Sequence, residues 1–461
     1  MKNAPWIARF NVDLSDAELD RLIEIRAVPV KIGNDTPQAD AEALQAGLER
    51  IFLSGTQVRK VLRQLVDLAR SKAISHFSSE DAFITGVYKA FPWGSTTSPA
   101  ICFCGLAGVG KSQILEALTR ILPPPTLLDV LGHKNISLVS GWHMTLRDGI
   151  SMNALLKPHL RFSSSQEEQH NKGNENVKVT KDIKLSTLLG LARRRSWQDG
   201  VCLLWVDEFQ FVSQGSEANS KATALLLQLL GIGPRLVFVA NFSLGHKLKK
   251  RNQEDKQRLV SQPLILDPEI CSSADWKALI AEYKNIVPDV FTFKVDEVES
   301  LIHQFTFGIK RLVVQLLVCA YMVARKREKH TVGVDEIRQA YKSSLYYSNH
   351  EDVEILWQQC IEKKMKKEDL WCPFDQTHDD LMGTDGKIGA NVSFAQKAID
   401  NFETKIEDQL LNSSMLPSER AAAQKIESSE KEQQRPARVI HMRRPKVTKQ
   451  SLQEACDLFD K

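Results

Sequence analysis

The residue types and spacing that most clearly carry chemistry stand at Gly105-Leu106-Ala107-Gly108-Val109-Gly110-Lys111-Ser112, which fits G-x-x-x-x-G-K-[ST]. Gly105, Gly108 and Gly110 let the backbone curl so that successive N–H groups point at one anion. Lys111 is placed to reach β- and γ-phosphates, and the Ser112 hydroxyl to hold Mg²⁺. A second element completes such a site. The apolar run Leu203-Leu204-Trp205-Val206 delivers Asp207 to a strand end, where it can hold Mg²⁺ through water, and sets Glu208 to polarise an attacking water. Asn241 follows Val239-Ala240 and is expected beside a γ-phosphate, where it can orient that water; a turn-forming asparagine is the alternative.

Gly308-Ile309-Lys310-Arg311 opens a densely apolar helix, from which Arg311 can fold back onto phosphates; a solvated basic pair is the alternative. Arg258, and behind it Arg251, follow Asn241 on a basic helix. Arg258 sits late in that helix and is the candidate to reach across a subunit interface and compensate transition-state charge in trans, against a plain solvated face.

These residues need a scaffold, and the pattern supplies one. Ile101-Cys102-Phe103-Cys104 reads as a strand before the glycine loop. Ile114, Leu115, Leu118 and Ile121 read as a helix after it, stopped by Pro123-Pro124-Pro125. Strand and helix then alternate: strands at Ile136–Ser140, Val201–Val206, Leu236–Ala240 and Leu264–Leu266, helices at Lys184–Trp197 and Ala222–Leu230. That alternation predicts an α/β domain with a parallel sheet and flanking helices. Ser163–Asp182 is polar and reads as an insertion. The expected organisation is a helical appendage over 1–75, an α/β nucleotide domain over 76–270, a small helical lid over 271–348 and a helical, partly mobile basic extension over 349–461. Within the appendage, Ala41–Ile51 and Thr56–Ala73 read as amphipathic helices. Within the extension, Glu351–Lys367 reads as a charged helix, Asn412–Gln434 as a mobile stretch and Gln450–Phe459 as a last short helix.

Composition excludes some classes and leaves others open. The chain has 461 residues, 43% of them apolar, enough for two to four domains with real cores. A net charge of +4 decides nothing about nucleic acid, so local charge must. No run of membrane length and no leader-like apolar stretch is seen, and eight scattered cysteines without C-x-x-C argue against a disulfide framework or zinc ribbon. A cytoplasmic protein without membrane partners is the expectation. Cys372 and His378 alone do not make a metal site.

Taken in order, Gly105 to Ser112, Asp207-Glu208, Asn241 and Arg311 with a helical lid resemble the AAA+ ATPases, over roughly Pro92 to Tyr347. The tetrad Asp207-Glu208-Phe209-Gln210 and the lid motif Gly308-Ile309-Lys310-Arg311-Leu312 are similar to the TnsC/TniB class of transposition regulators; Trp205 departs from that pattern. The resemblance implies an ATP- and Mg²⁺-dependent ATPase that assembles with itself as a ring, spiral or filament on duplex DNA, marks a target and recruits a transposase and a target-selection protein. A signalling or defence ATPase that needs no DNA, and a helicase-loader-like protein, are the alternatives. Candidate DNA contacts are Lys157, His159 and Arg161 after the second strand and Arg193, Arg194 and Arg195 at one helix end. The basic run from Arg435 to Lys449 is a further candidate for DNA or partner docking, or a solvated tail.

Overall fold

The computed structural model describes residues 4–10, 13–33, 36–88, 98–146, 152–161, 184–207 and 218–374. Five helices precede the sheet: α1 (Pro5–Ala8), α2 (Asp16–Ile23), α3 (Pro37–Arg50), α4 (Thr56–His76) and α5 (Glu80–Tyr88). Several begin or are held for a visible reason. Ser15 and Glu18 form a reciprocal cap at the start of α2, and Thr36 caps α3, which begins with Pro37. The stripe read on α4 is buried at Val58, Val61, Leu62, Leu65 and Val66 and joins the core beneath the sheet. In α3, Leu44 and Leu48 join a second core, formed with the helices after the sheet. The N-terminal segment is thus built into both cores.

The sheet follows. β1 (Ile101–Gly105) leads through the glycine loop into α6 (Lys111–Ile121), then come a hairpin of β2 (Thr126–Val130) and β3 (His133–Leu138), and β4 (Gly141–Thr145) with α7 (Met152–Arg161). Next are α8 (Leu185–Gln198), β5 (Leu203–Asp207), α9 (Ala218–Leu230), β6 (Arg235–Ala240), α10 (Phe242–Lys249), α11 (Gln253–Leu259) and β7 (Gln262–Leu266). The five-stranded sheet runs β4-β5-β6-β1-β7, every pairing parallel. β1 and β5 are buried along their whole length, as strands covered by helices on both faces must be. The expected α/β class with a parallel sheet is what the structure has.

One strand differs from expectation. Ile136–Ser140 does not enter the parallel sheet; most of it is β3, antiparallel to β2, turning at Leu131-Gly132, where both residues have positive φ (49° and 80°). The sheet strand is Gly141–Thr145, led by a glycine. That glycine explains Trp205 as well: a Cβ on Gly141 would lie 2.4 Å from Trp205 Cζ3, and the indole stacks on His143 at 5.6 Å. The large residue in β5 is matched by the smallest one beside it.

The lid comprises α12 (Ala274–Lys284), α13 (Val295–Thr306), α14 (Lys310–Lys326) and α15 (Val334–Tyr341). The Tyr321 hydroxyl of α14 and the Gly33 N–H both donate to the buried Asp40 carboxylate, at 2.8 and 2.9 Å, which fixes α3 to the lid. α16 (Tyr347–Glu362) follows. Residues 368–374 run from it to α10, where Lys250 pairs with Glu368 at 2.7 Å and Gly245 leaves room for Pro373. The expected insertion at 163–182, the boundary at Pro92-Trp93-Gly94 and everything expected after residue 374, including Arg435–Lys449, lie outside the described residues. Among the described residues no single helix is long and apolar enough to cross a membrane, and no cluster of His, Cys, Asp or Glu could hold a metal by itself.

Candidate nucleotide site

The order of the strands sets the site. β6 lies between β1 and β5, so Asn241, just past its end, falls between the glycine loop and Asp207. All three arrive at the C-terminal edge of the sheet, where parallel α/β sheets place their ligands. The loop is shaped by its glycines. Gly108 has φ +86°, and a Cβ there would lie 2.7 Å from Arg311 Cβ. Gly110 has φ +106° and starts α6 without a side-chain cap, so the positive end of that helix opens on the loop.

Lys111 is only 6% exposed. Its ammonium donates to the carbonyls of Gly105 (2.8 Å) and Leu106 (2.7 Å) and to Asn241 Oδ1 (3.0 Å), which uses all three of its protons. Burial pushes it down to about 8, against the pull of Cys104 and Asp207 in the other direction. Asn241 occupies the cap position of α10, yet its side chain makes no capping bond there and holds Lys111 instead. Arg311 is joined to the loop through its own backbone N–H, which donates to Gly108 O at 3.1 Å.

A pocket of about 300 Å³ lies among these groups, lined by Lys111, Ser112, Asp207, Asn241, Lys310 and Arg311. Its other wall consists of Leu48 and Glu49 from α3, Tyr283 from α12 and Val314 from α14. Sequence reasoning missed that wall as part of a site. Its residues look like ordinary members of helical stripes, and only their convergence from three helices distinguishes them. Asp207 is 8% exposed. Glu208, with Phe209 and Gln210, lies outside the described residues. The donor set fits a nucleotide with a divalent cation: two helix N-termini, Lys111 and Arg311 for phosphates, and a hydroxyl and carboxylate for the metal.

The remaining candidates fall elsewhere. Arg258 is exposed, in the last turn of α11, and pairs with Glu254 at 2.6 Å; Arg251 pairs with Asp255. The Arg258 carbonyl accepts from Ala100, just before β1, so it stands at the opposite sheet edge from the loop, about 15 Å away along a strand of this length. Lys157 and His159 lie on α7. Burial pushes His159 down to about 4, and it stacks on Trp142 at 5.1 Å, so it is neutral and brings no positive charge to a phosphate. Arg161 ends that helix. Arg193 and Arg194 are both exposed, Arg193 donating to Gly231 O at 2.8 Å, while Arg195 pairs with Asp199 at 2.9 Å.

No family model matches this chain. No curated protein matches it either. Among solved structures it is similar to the Aeropyrum pernix ORC2 protein in its ADPNP–ADP complexes, at 13% identity over 64% of this chain and 71% of that one, TM-score 0.38. It is also similar to the Aeropyrum pernix ORC1 protein in complex with DNA, at 16% identity over 67% of each chain, TM-score 0.36. A third is a point variant of Thermotoga maritima RuvB, at 11% identity over 67% of this chain and 76% of that one, TM-score 0.33. Likenesses this distant bear on neither activity nor partners, for which the residues of the chain itself are the evidence.

Proposed function

We propose that this chain is an ATP-hydrolysing protein of the AAA+ type that works as a DNA-assembling regulator of transposition. The observation that carries the ATPase reading is the meeting of Lys111, Asn241 and Arg311 on one glycine loop, with Asp207 in the same pocket. Lys111 and the first turn of α6 hold the phosphates, Ser112 and Asp207 hold Mg²⁺, and Glu208 polarises the attacking water, which Asn241 orients. Mg²⁺ held by Ser112 and Asp207 would supply neutralisation of phosphate charge. Arg311 ties the lid to the occupied loop, and Arg258, too far from its own pocket, completes a neighbour's.

The finer reading, a regulator that assembles on duplex DNA and recruits a transposase, rests on the sequence similarity at Asp207–Gln210 and Gly308–Leu312. The pairing of Arg195 with the buried Asp199 and the neutrality of His159 favour, as a second reading, a signalling ATPase that needs no DNA. Electron microscopy separates them. Wild-type protein with ATP and duplex DNA is expected to form rings, spirals or filaments that Lys111→Ala does not form. Assemblies that are indifferent to DNA favour the second reading, and assemblies formed equally by Lys111→Ala contradict the role given to ATP.

A further inference from the structure

Among the described residues lining the pocket, Lys310 is the cation that the ATPase reading leaves unused. It occupies the first position of α14, and Arg311 the second. No acidic residue stands in that first turn, and no side chain caps it. Two cations at the positive end of a helix call for anions there, and Glu269 supplies one negative charge. Lys310 also lies against the loop itself: its Cδ is 3.6 Å from where a Cβ on Gly110 would stand. Its ammonium pairs with Glu269 at 3.4 Å, and both side chains are largely buried, at 14% and 11% exposure.

Glu269 lies in the link between β7 and the lid. Its backbone is fixed independently of its carboxylate, because its carbonyl accepts from His303 at 2.8 Å and its N–H donates to Gly308 O at 3.3 Å. Glu269 also lines a second hollow of about 130 Å³, which it shares with Lys310, Arg26, Arg59, Glu24 and Asp275. The Arg26 and Arg59 guanidiniums pair with Glu24 and Asp20, so Lys310 is the ion-pair partner of Glu269 among these cations.

We infer that Lys310 is a further phosphate-binding residue of the nucleotide site, which exchanges its ion pair with Glu269 for the phosphate chain when nucleotide binds. The inference deepens the ATPase reading and rests on it. Glu269 is then a competitor for the lysine and lowers nucleotide affinity, because the binding-competent position of Lys310 is only a fraction of its population.

The test is ATP affinity of the full-length chain, followed with a fluorescent ATP analogue. Lys310→Ala is expected to weaken binding by about tenfold, the ordinary size of one charge-assisted contact. Glu269→Gln is expected to tighten it by about threefold or more, by releasing the lysine. The double variant is expected to match Lys310→Ala alone, and Lys310→Gln serves as a gentler replacement if the alanine variant does not fold. A purely structural ion pair gives the opposite sign for Glu269→Gln. Unchanged or weakened binding by that variant, with wild type binding and Lys111→Ala not, overturns the exchange and leaves the ATPase reading standing. Absence of binding by wild type overturns both.

Discussion

At the residue scale, Lys111 matters most. Its ammonium is buried among two carbonyls and Asn241, and burial draws it from 10.5 down to about 8. Phosphates favour the charged form, so binding takes up a proton wherever the free lysine has lost one. ATP affinity is therefore expected to be level below about pH 8 and to fall above it, by up to about tenfold per pH unit. For folding alone the sign is reversed. The buried charge destabilises the fold below about 8, and that cost is relieved as pH rises toward 10.5. Equilibrium binding across the alkaline range checks the first statement, and affinity flat to about pH 10 contradicts it. The loop was legible in the sequence because glycine, lysine and serine there have chemical jobs that few other residues can do. Asn241 was legible as a candidate but not as a contact. An asparagine after a strand serves a turn equally well, and only the 3.0 Å bond to Lys111 distinguishes the two. His159 counts as a basic type in the sequence, which gives charge type and not burial.

At the scale of elements, apolar runs with burial on both faces were the readable part. β1, β5 and β6 were placed to within two residues of their ends. The β2–β3 hairpin and β4 were not, because their signals run against the usual ones. The hairpin turns through a leucine at positive φ, and the sheet strand opens with Gly141, a poor strand former kept to admit Trp205. A glycine carries the lid as well. Gly308 has φ +70°, and a Cβ on it would lie 2.3 Å from the carbonyl oxygen of Glu269. Gly308→Ala is expected to destabilise the fold by about 1–3 kcal/mol, since both the left-handed backbone and the collision must be relieved. Thermal unfolding reads this directly, and an unshifted midpoint contradicts it. Gly190, where a Cβ meets nothing, is the matched control and is expected to tolerate alanine.

At the scale of the molecule, the N-terminal helices are structural partners of the nucleotide site. α3 packs its Leu44 and Leu48 into the lid core, holds it through Asp40 and Tyr321, and supplies Leu48 and Glu49 to the pocket wall. The sequence showed amphipathic helices there but could not show which face met which core, since a stripe says only that something covers it. The chain returning through Glu368 to α10 joins the lid to the helix that Asn241 starts. Lid position and the asparagine are thereby linked from behind, as well as across the loop. Arg258 stands exposed at the far edge of the sheet, so in the proposed function one chain holds half of a hydrolytic site and a neighbour supplies the rest. The measurement that tests this most directly is phosphate release from ATP by the full-length protein over a range of protein concentrations. Turnover per chain is predicted to rise with concentration for wild type. For Arg258→Ala it is predicted to stay at least about tenfold lower throughout, with ATP affinity unchanged. Absence of phosphate release by wild type, or release by Arg258→Ala at the wild-type rate at every concentration, contradicts it.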